Sequence, residues 1–442
     1  RWEFSAPHLL CCSDCEPRTV RDLLHEAAAA GGRCDGTETE TNALLDVRLA
    51  YTETRGDPAL RAAIARRVYA SVSSPPLDPS CEILVLTPQE GIFLATQALA
   101  LRPGDLVIAT RPGYQSLYAV AESCGACVLA WRPRAGDATT GGRLAFDAAD
   151  LEALLRPVID APDDDDARAP KPLLRAVFVN FVCHNPTGFV ASDALWARFV
   201  ELLGQADAAQ RRRAAARGLP GPPRIVVFSD EMYAHMEQWR DADAAQGPGS
   251  GGPTPAPRVS TALDLPPHSG IAPVVLCGLS KSWGLPGLRL GWLASRDASF
   301  LDRVSELRDY TTICSPAASE HLALRAVEAT EALTRAARLR VAGNARLASD
   351  FFGQRWGHLF DWPGAPDAGP ICFPAAKPAL LEAAGAADVG QLCDRLADEA
   401  GVLLLPATVY EEEEGARAAL GGRFRLGLGR AGAVGQLCLR RG

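Results

Sequence analysis

The chain has 442 residues, which at roughly 150 residues per domain implies more than one lobe. Hydrophobic residues make up 48% and charged residues 22%, which excludes a disordered, collagen-like or small disulfide-stapled protein. The formal charge of −8 argues against a broad footprint for nucleic acid, and no apolar run approaches the roughly 18 residues that span a bilayer.

The first segment carries Cys11, Cys12 and Cys15 close to His8. A structural metal site would need a second ligand pair at regular spacing, and none follows, so these read as core or loop cysteines with no metal. Thirteen cysteines are an odd set, which fits a reducing compartment. A cytoplasmic location is the expectation, with organellar targeting left open because the chain starts at Arg1. A helix is predicted over Val20–Ala30.

From about residue 45 to 300, short apolar runs alternate with helical patterns. Strands are predicted at Ile83–Thr87, Leu106–Thr110, Ala126–Trp131, Ala176–Val182, Arg224–Asp230, Pro273–Leu279 and Leu288–Ala294. Helices such as Gly91–Leu101 and Asp193–Leu203 separate them. This rhythm predicts a largely parallel sheet covered by helices. A long helical pattern over Ser299–Phe351 follows, then strands near Ile371–Phe373, Val402–Leu405 and Phe424–Leu428. The expected division is an arm at 1–45 that joins a small domain, a large domain at 46–300, and a small α+β domain at 301–442. Asp163–Asp166, Arg211–Arg213 with the stretch to Arg224, Asp241–Arg258 and Glu411–Glu414 read as solvated surface insertions.

Three of the 45 basic residues are lysines: Lys171, Lys281 and Lys377. Lys281 stands at the end of an apolar strand in Cys277-Gly-Leu-Ser-Lys-Ser-Trp-Gly-Leu-Pro-Gly-Leu-Arg289. A poorly solvated amine there is a nucleophile for carbonyl carbon, and Arg289 suits a phosphate. An amine for imine chemistry beside a phosphate grip suggests pyridoxal phosphate; the plainer alternative is a loop lysine and a surface arginine. Asp230 ends another strand, where it can face a protonated pyridine nitrogen or merely cap the next helix. Tyr233 follows three residues on, able to reach a ring oxygen. Asn185 ends a third strand in His-Asn-Pro-Thr-Gly188, as a donor to the same oxygen or as a turn residue. His184 and His235 read as packed side chains.

Together these stretches resemble the class I/II pyridoxal-phosphate aminotransferases of fold type I. Tyr51-Thr-Glu-Thr-Arg-Gly56, Pro103-Gly-Asp105, Arg111-Pro-Gly-Tyr114 and Phe424-Arg425 carry the likeness along nearly the whole chain. The resemblance implies an α/β fold: a mainly parallel seven-stranded sheet in a large domain that binds pyridoxal 5′-phosphate, plus a smaller α+β domain. It implies that Lys281 holds the cofactor as an internal aldimine and shuttles a proton between the substrate α-carbon and C4′. Asp230 would pair with the ring nitrogen, Asn185 and Tyr233 would contact the ring oxygen, and Tyr114 would stack on the ring. Ser280 and Arg289 would hold the phosphate, and Arg425 the substrate carboxylate beside Asn185. Tyr51 would reach the cofactor phosphate of a second subunit, which implies a homodimer with shared sites. The partners would otherwise be small amino acids and 2-oxo acids, with no nucleic acid and no membrane.

Two positions depart from the pattern. Gly278 stands where many relatives have a phosphate-binding serine, and the cradle reads Thr87-Pro-Gln-Glu-Gly91, in which Pro88 has no N–H. The donors are then the amides of Gln89 and Glu90, or the Gln89 side chain. The expected activity is transamination. The alternative is a lyase or cyclase of the β- or γ-elimination type on the same fold, because the cofactor residues barely differ between these reactions. A non-catalytic module would be favoured by loss of Lys281, Asp230 or Arg289, and all three are present. Arg308 and Arg55 are the candidates for a distal substrate carboxylate.

Overall fold

The computed structural model describes residues 2, 5–31, 36–71, 75–136, 142–162, 173–237, 259–411 and 414–432. Seven strands form its central sheet: β1 (Ile83–Leu86), β2 (Leu106–Thr110), β3 (Cys127–Trp131), β4 (Leu174–Val179), β5 (Ile225–Asp230), β6 (Ile271–Gly278) and β7 (Gly291–Ser295). They lie in the order β1-β7-β6-β5-β4-β2-β3. All neighbours run parallel except β7, which is antiparallel to both β1 and β6. Each strand expected from the apolar runs is present, and the sheet is mixed because of β7 alone.

The interior strands are buried on both faces, which is why they read as unbroken apolar runs without alternation. Alternate residues nonetheless serve different cores. Leu84, Leu86, Val107, Phe178 and Phe228 pack with the helices Pro88–Ala98, Ser116–Ser123 and Ala298–Arg308. Ile83, Val85, Ile108, Val177 and Val227 pack with Pro58–Arg67, Ala148–Ile159, Asp193–Ala216 and Ala317–Glu328. The period of two along each strand sorts its side chains to the two helix layers.

A smaller α+β unit lies beyond this sheet. Ile371–Cys372, Phe424–Gly427 and Leu405–Pro406 form a three-stranded antiparallel sheet. The N-terminal His8–Leu9 adds parallel to Val402–Leu403. Leu10, Cys15, Val341, Phe352, Leu392 and Leu426 share one core there, whereas Leu23 and Leu24 of helix Val20–Ala30 pack on the large sheet. The arm thus contributes to both cores.

Several expectations need correction. The helix read as ending at Leu203 continues to Ala216, so Arg211–Arg213 is helical, not a surface insertion. Arg211 pairs with Asp207 and the buried Arg213 donates to the Val158 carbonyl. The pattern over Ser299–Phe351 is three helices, Ala298–Arg308, Ala317–Glu328 and Thr330–Ala348, followed by a π-helical turn at Ser349–Arg355. Glu411, read as part of a solvated acidic run, is buried and paired with Arg132. Asp163–Asp166 and Asp241–Arg258 lie outside the described residues. Every described cysteine is a free thiol, and among the described residues no helix is long and apolar enough to cross a membrane.

Candidate active site

The chain order of the strands reverses between β2 and β4, and ligands of open α/β sheets settle at the carboxyl ends beside such a reversal. Tyr114 follows β2, Asn185 follows β4, Asp230 ends β5, and Ser280 and Lys281 follow β6. Gln89 follows β1 at the start of its helix. Because β7 is antiparallel, its first residue Gly291 pairs with both Gly278 and Leu86, so the preceding Arg289 comes to this same edge. The topology brings these residues together from more than 190 positions of sequence (Gln89 to Arg289).

Lys281 and Asp230 form the charged centre. Burial holds the Lys281 amine below the usual lysine range, opposed by Asp14 and Asp230 and reinforced by Arg425. Burial pushes the Asp230 carboxyl up to about 6, opposed by the Met232 N–H and by Lys281. The Met232 N–H donates to Asp230 Oδ1 at 3.1 Å. Asp230 pairs in register with Leu276, so the acid and the strand that leads to Lys281 end at the same edge of the sheet. Asn180, to which the sequence assigned no role, ties the neighbouring strand ends: its amide donates to the Asp230 carbonyl at 2.6 Å and accepts from the Asn185 N–H at 2.7 Å.

Asn185 is oriented by its neighbours. Its Oδ1 accepts from the Tyr410 hydroxyl at 3.3 Å and from Arg425 Nη1 at 3.1 Å. The oxygen therefore faces Arg425, and the amide nitrogen is turned away to donate elsewhere. Arg425 is held from a second direction, with its Nε donating to the Cys11 carbonyl at 2.8 Å. It opens on a cavity of about 470 Å³ lined also by Cys11, Ser13, Leu405 and Val409. Tyr233 is buried, and desolvation pushes its hydroxyl well above the usual tyrosine range.

The two departures from the family pattern explain each other. A Cβ at Gly278 would stand 3.0 Å from the Pro88 ring and 3.1 Å from the Gly291 Cα. One at Gly291 would stand 2.7 Å from Pro88 and 2.4 Å from the Cys277 carbonyl. The proline ring occupies the space that a serine at 278 would need. The Gln89 side chain is engaged, accepting from the Tyr114 hydroxyl at 2.8 Å and donating to Ser116 at 2.6 Å. The Glu90 side chain turns away to Thr311 and Thr312, at 2.5 and 2.7 Å. Ser280 is buried, whereas Arg289 is exposed in a left-handed backbone conformation (φ 52°) and its carbonyl accepts from Thr87. Tyr51 is 85% exposed.

Other candidates resolve plainly. His184 is buried against Phe146 and Thr187, and burial pulls it down to about 3; His235 packs on Trp283. Arg308 is buried and occupied by the carbonyls of Thr54 and Val85 and by Ser315, and Arg55 pairs with Asp302, so neither is free for a substrate carboxylate. No motif or spacing marks Ser13, Asp14, Asn180 or Tyr410, which come to the site only through folding. Among the described residues no group of three or more His, Cys, Asp or Glu is arranged to hold a metal ion.

A family model described as aminotransferase class I and II matches residues 24–208 and 222–436. Over 368 residues the chain is 29% identical to capreomycidine synthase of Streptomyces vinaceus, spanning 81% of this chain and 73% of that protein. A PLP-dependent aminotransferase from Streptococcus suis superposes with a TM-score of 0.69 at 21% identity, covering 98% of this chain and 93% of that one. The PLP-dependent cyclase OrfR superposes with a TM-score of 0.65 at 24% identity, covering 98% and 92%. The sheet, the site at its carboxyl edge and the extent of these matches agree: the chain belongs to the class I and II aminotransferase family, has the fold type I architecture, and takes pyridoxal phosphate as cofactor.

Proposed function

We propose that the chain is an aminotransferase that moves an amino group from an amino acid to a 2-oxo acid. The observation that carries this reading is a buried Lys281 amine and a buried Asp230 stationed after neighbouring strands, with Arg425 fixed against Asn185. The donor set fits the cofactor. Lys281 would bind it covalently, Asp230 would face its ring nitrogen, and the outward amide of Asn185 and the Tyr233 hydroxyl would face its ring oxygen. Tyr114 would cover the ring, and Ser280, Arg289 and the amides of Gln89 and Glu90 would take the phosphate. When bound, pyridoxal phosphate accepts the electron pair left at the substrate α-carbon.

The chain's own residues supply the rest. Arg425 takes the substrate carboxylate and so fixes the α-carbon. Lys281, with its proton affinity lowered by burial, removes the α-proton and returns it at a second position within reach of its four-carbon stem. The same reading includes a homodimer, supported by the exposure of Tyr51, Leu49 and Tyr310.

The likeness to capreomycidine synthase, and to a structure described as a cyclase, favours a second reading: elimination or cyclisation that begins with the same proton removal. Two measurements test these readings. Borohydride reduction of the cofactor-loaded protein, followed by peptide mapping, should mark Lys281 and neither Lys171 nor Lys377. Incubation with an amino-acid panel and 2-oxoglutarate or pyruvate should yield new amino acids. Turnover that needs no oxo acid, and releases ammonia or a cyclised product, would replace the first reading with the second.

A further inference from the structure

We propose that Ser13 is the positioning residue for the Lys281 amine, and that the N-terminal strap carrying it aligns the lysine and Arg425 together. The inference rests on the reading of Lys281 given above. Lys281 Nζ donates to Ser13 Oγ at 2.9 Å. Ser13 is buried. Lysine ends in a rotatable amine on a flexible stem, so its lone pair has no inherent direction. Committing one N–H to a fixed hydroxyl restricts the amine to orientations that leave the lone pair turned away from Ser13.

The hydroxyl is fixed because the strap is fixed. The Gly427 N–H donates to the Leu10 carbonyl at 2.7 Å, and the Glu16 N–H donates to the Gly429 carbonyl at 3.0 Å. Arg430 grips Asp14 with two bonds of 3.0 Å. Gly427 and Gly429 admit this approach: a Cβ there would stand 1.9 Å from the Cys12 carbonyl and 2.3 Å from the Asp14 carbonyl. Two residues before Ser13, the Cys11 carbonyl accepts from Arg425 Nε. One segment therefore touches both the proton-moving amine and the arginine assigned to the substrate carboxylate.

The charged and titratable groups around Lys281 are Asp14, Cys12 and Cys15 of the strap, Asp230 at the end of β5, and Arg425 of the small sheet. All are unchanged by substitution at Ser13, so a comparison of variants isolates the hydroxyl. Cofactor-free wild type, Ser13→Ala, Ser13→Cys and Ser13→Thr would be reductively methylated across a pH series and digested. The midpoint of Lys281 modification is then read against Lys377, which is anchored elsewhere by the Gly357 carbonyl. Loss of an acceptor for the ammonium form should lower the Lys281 midpoint in Ser13→Ala by about half to one pH unit. Ser13→Cys should lower it less, Ser13→Thr should restore it, and the Lys377 midpoint should stay put in every folded variant. In the loaded enzyme Ser13→Ala should lower kcat about tenfold with KM little changed, and should raise the isotope effect from an α-deuterated substrate.

Equal Lys281 midpoints in wild type, Ser13→Ala and Ser13→Cys would overturn the proposal, as would an unchanged isotope effect. Borohydride mapping separates the two failures. Cofactor trapped on Lys281 together with equal midpoints sinks the role of Ser13 alone, whereas cofactor trapped on another lysine sinks the reading on which it rests.

Discussion

Asp230 sits where its charge is expensive without a cation against it. Its folded value of about 6 lies above the 3.8 of an exposed aspartate, so the folded cofactor-free protein holds the proton more tightly than the unfolded chain. Stability should therefore fall as pH climbs from about 4 to about 6, and the ionised form should cost on the order of 3 kcal/mol above that window. Asp230→Asn keeps the acceptor for the Met232 N–H and removes the charge. Thermal melts of the cofactor-free variant should lie above wild type at neutral pH and converge with it in acid, while turnover is lost. A variant melting no higher than wild type at neutral pH would contradict this. Gly278→Ser should destabilise the protein by about 1–3 kcal/mol through overpacking against Pro88. Adding Pro88→Ala should recover part of that loss. A double-mutant cycle in denaturant reads the coupling, and strict additivity would separate the two positions.

At the scale of elements, the strap around residues 9–16 depends on a glycine that no local rule marks. Gly427→Ala would drive a methyl group into the Cys12 carbonyl, so the strap must lift from the strand Phe424–Gly427. Amide exchange over residues 9–16 should accelerate by at least about tenfold while exchange in the central sheet stays slow. Uniform exchange would mean that the strand absorbs the change instead. The helix Asp193–Ala216 shows why local reading stops short. Gly204 and the arginine run interrupt the apolar pattern, yet Arg211 is neutralised by Asp207 and Arg213 is buried on a carbonyl of another helix. A local pair four residues apart serves Arg211, but only a tertiary contact makes Arg213 compatible with a packed helix.

For the whole molecule, the exposed Tyr51 is the feature that a single chain leaves unexplained. If it completes the site of a second copy, light scattering should give twice the chain mass. Mixing Lys281→Ala with Tyr51→Ala should then restore activity, because one site in the mixed dimer holds both native residues. About a quarter of the native level is expected from random pairing. No recovery from a mixture shown to exchange subunits would assign Tyr51 to a surface role.

The seven strands were legible in the chain, since buried parallel strands must be continuous apolar runs, and so were the chemical parts: a lysine, an acid and an asparagine each stationed just past such a run. Their identities and strand-end positions are local properties, so they were legible. Tertiary structure alone decided what surrounds them. Ser13 and Tyr410 reach the site from opposite ends of the chain, Glu411 found Arg132, and the space that Pro88 denies to a side chain at Gly278 exists only once β6 and β7 are paired. Contacts between residues hundreds of positions apart leave no periodicity or spacing in the sequence, because they are set by strand order and layer packing.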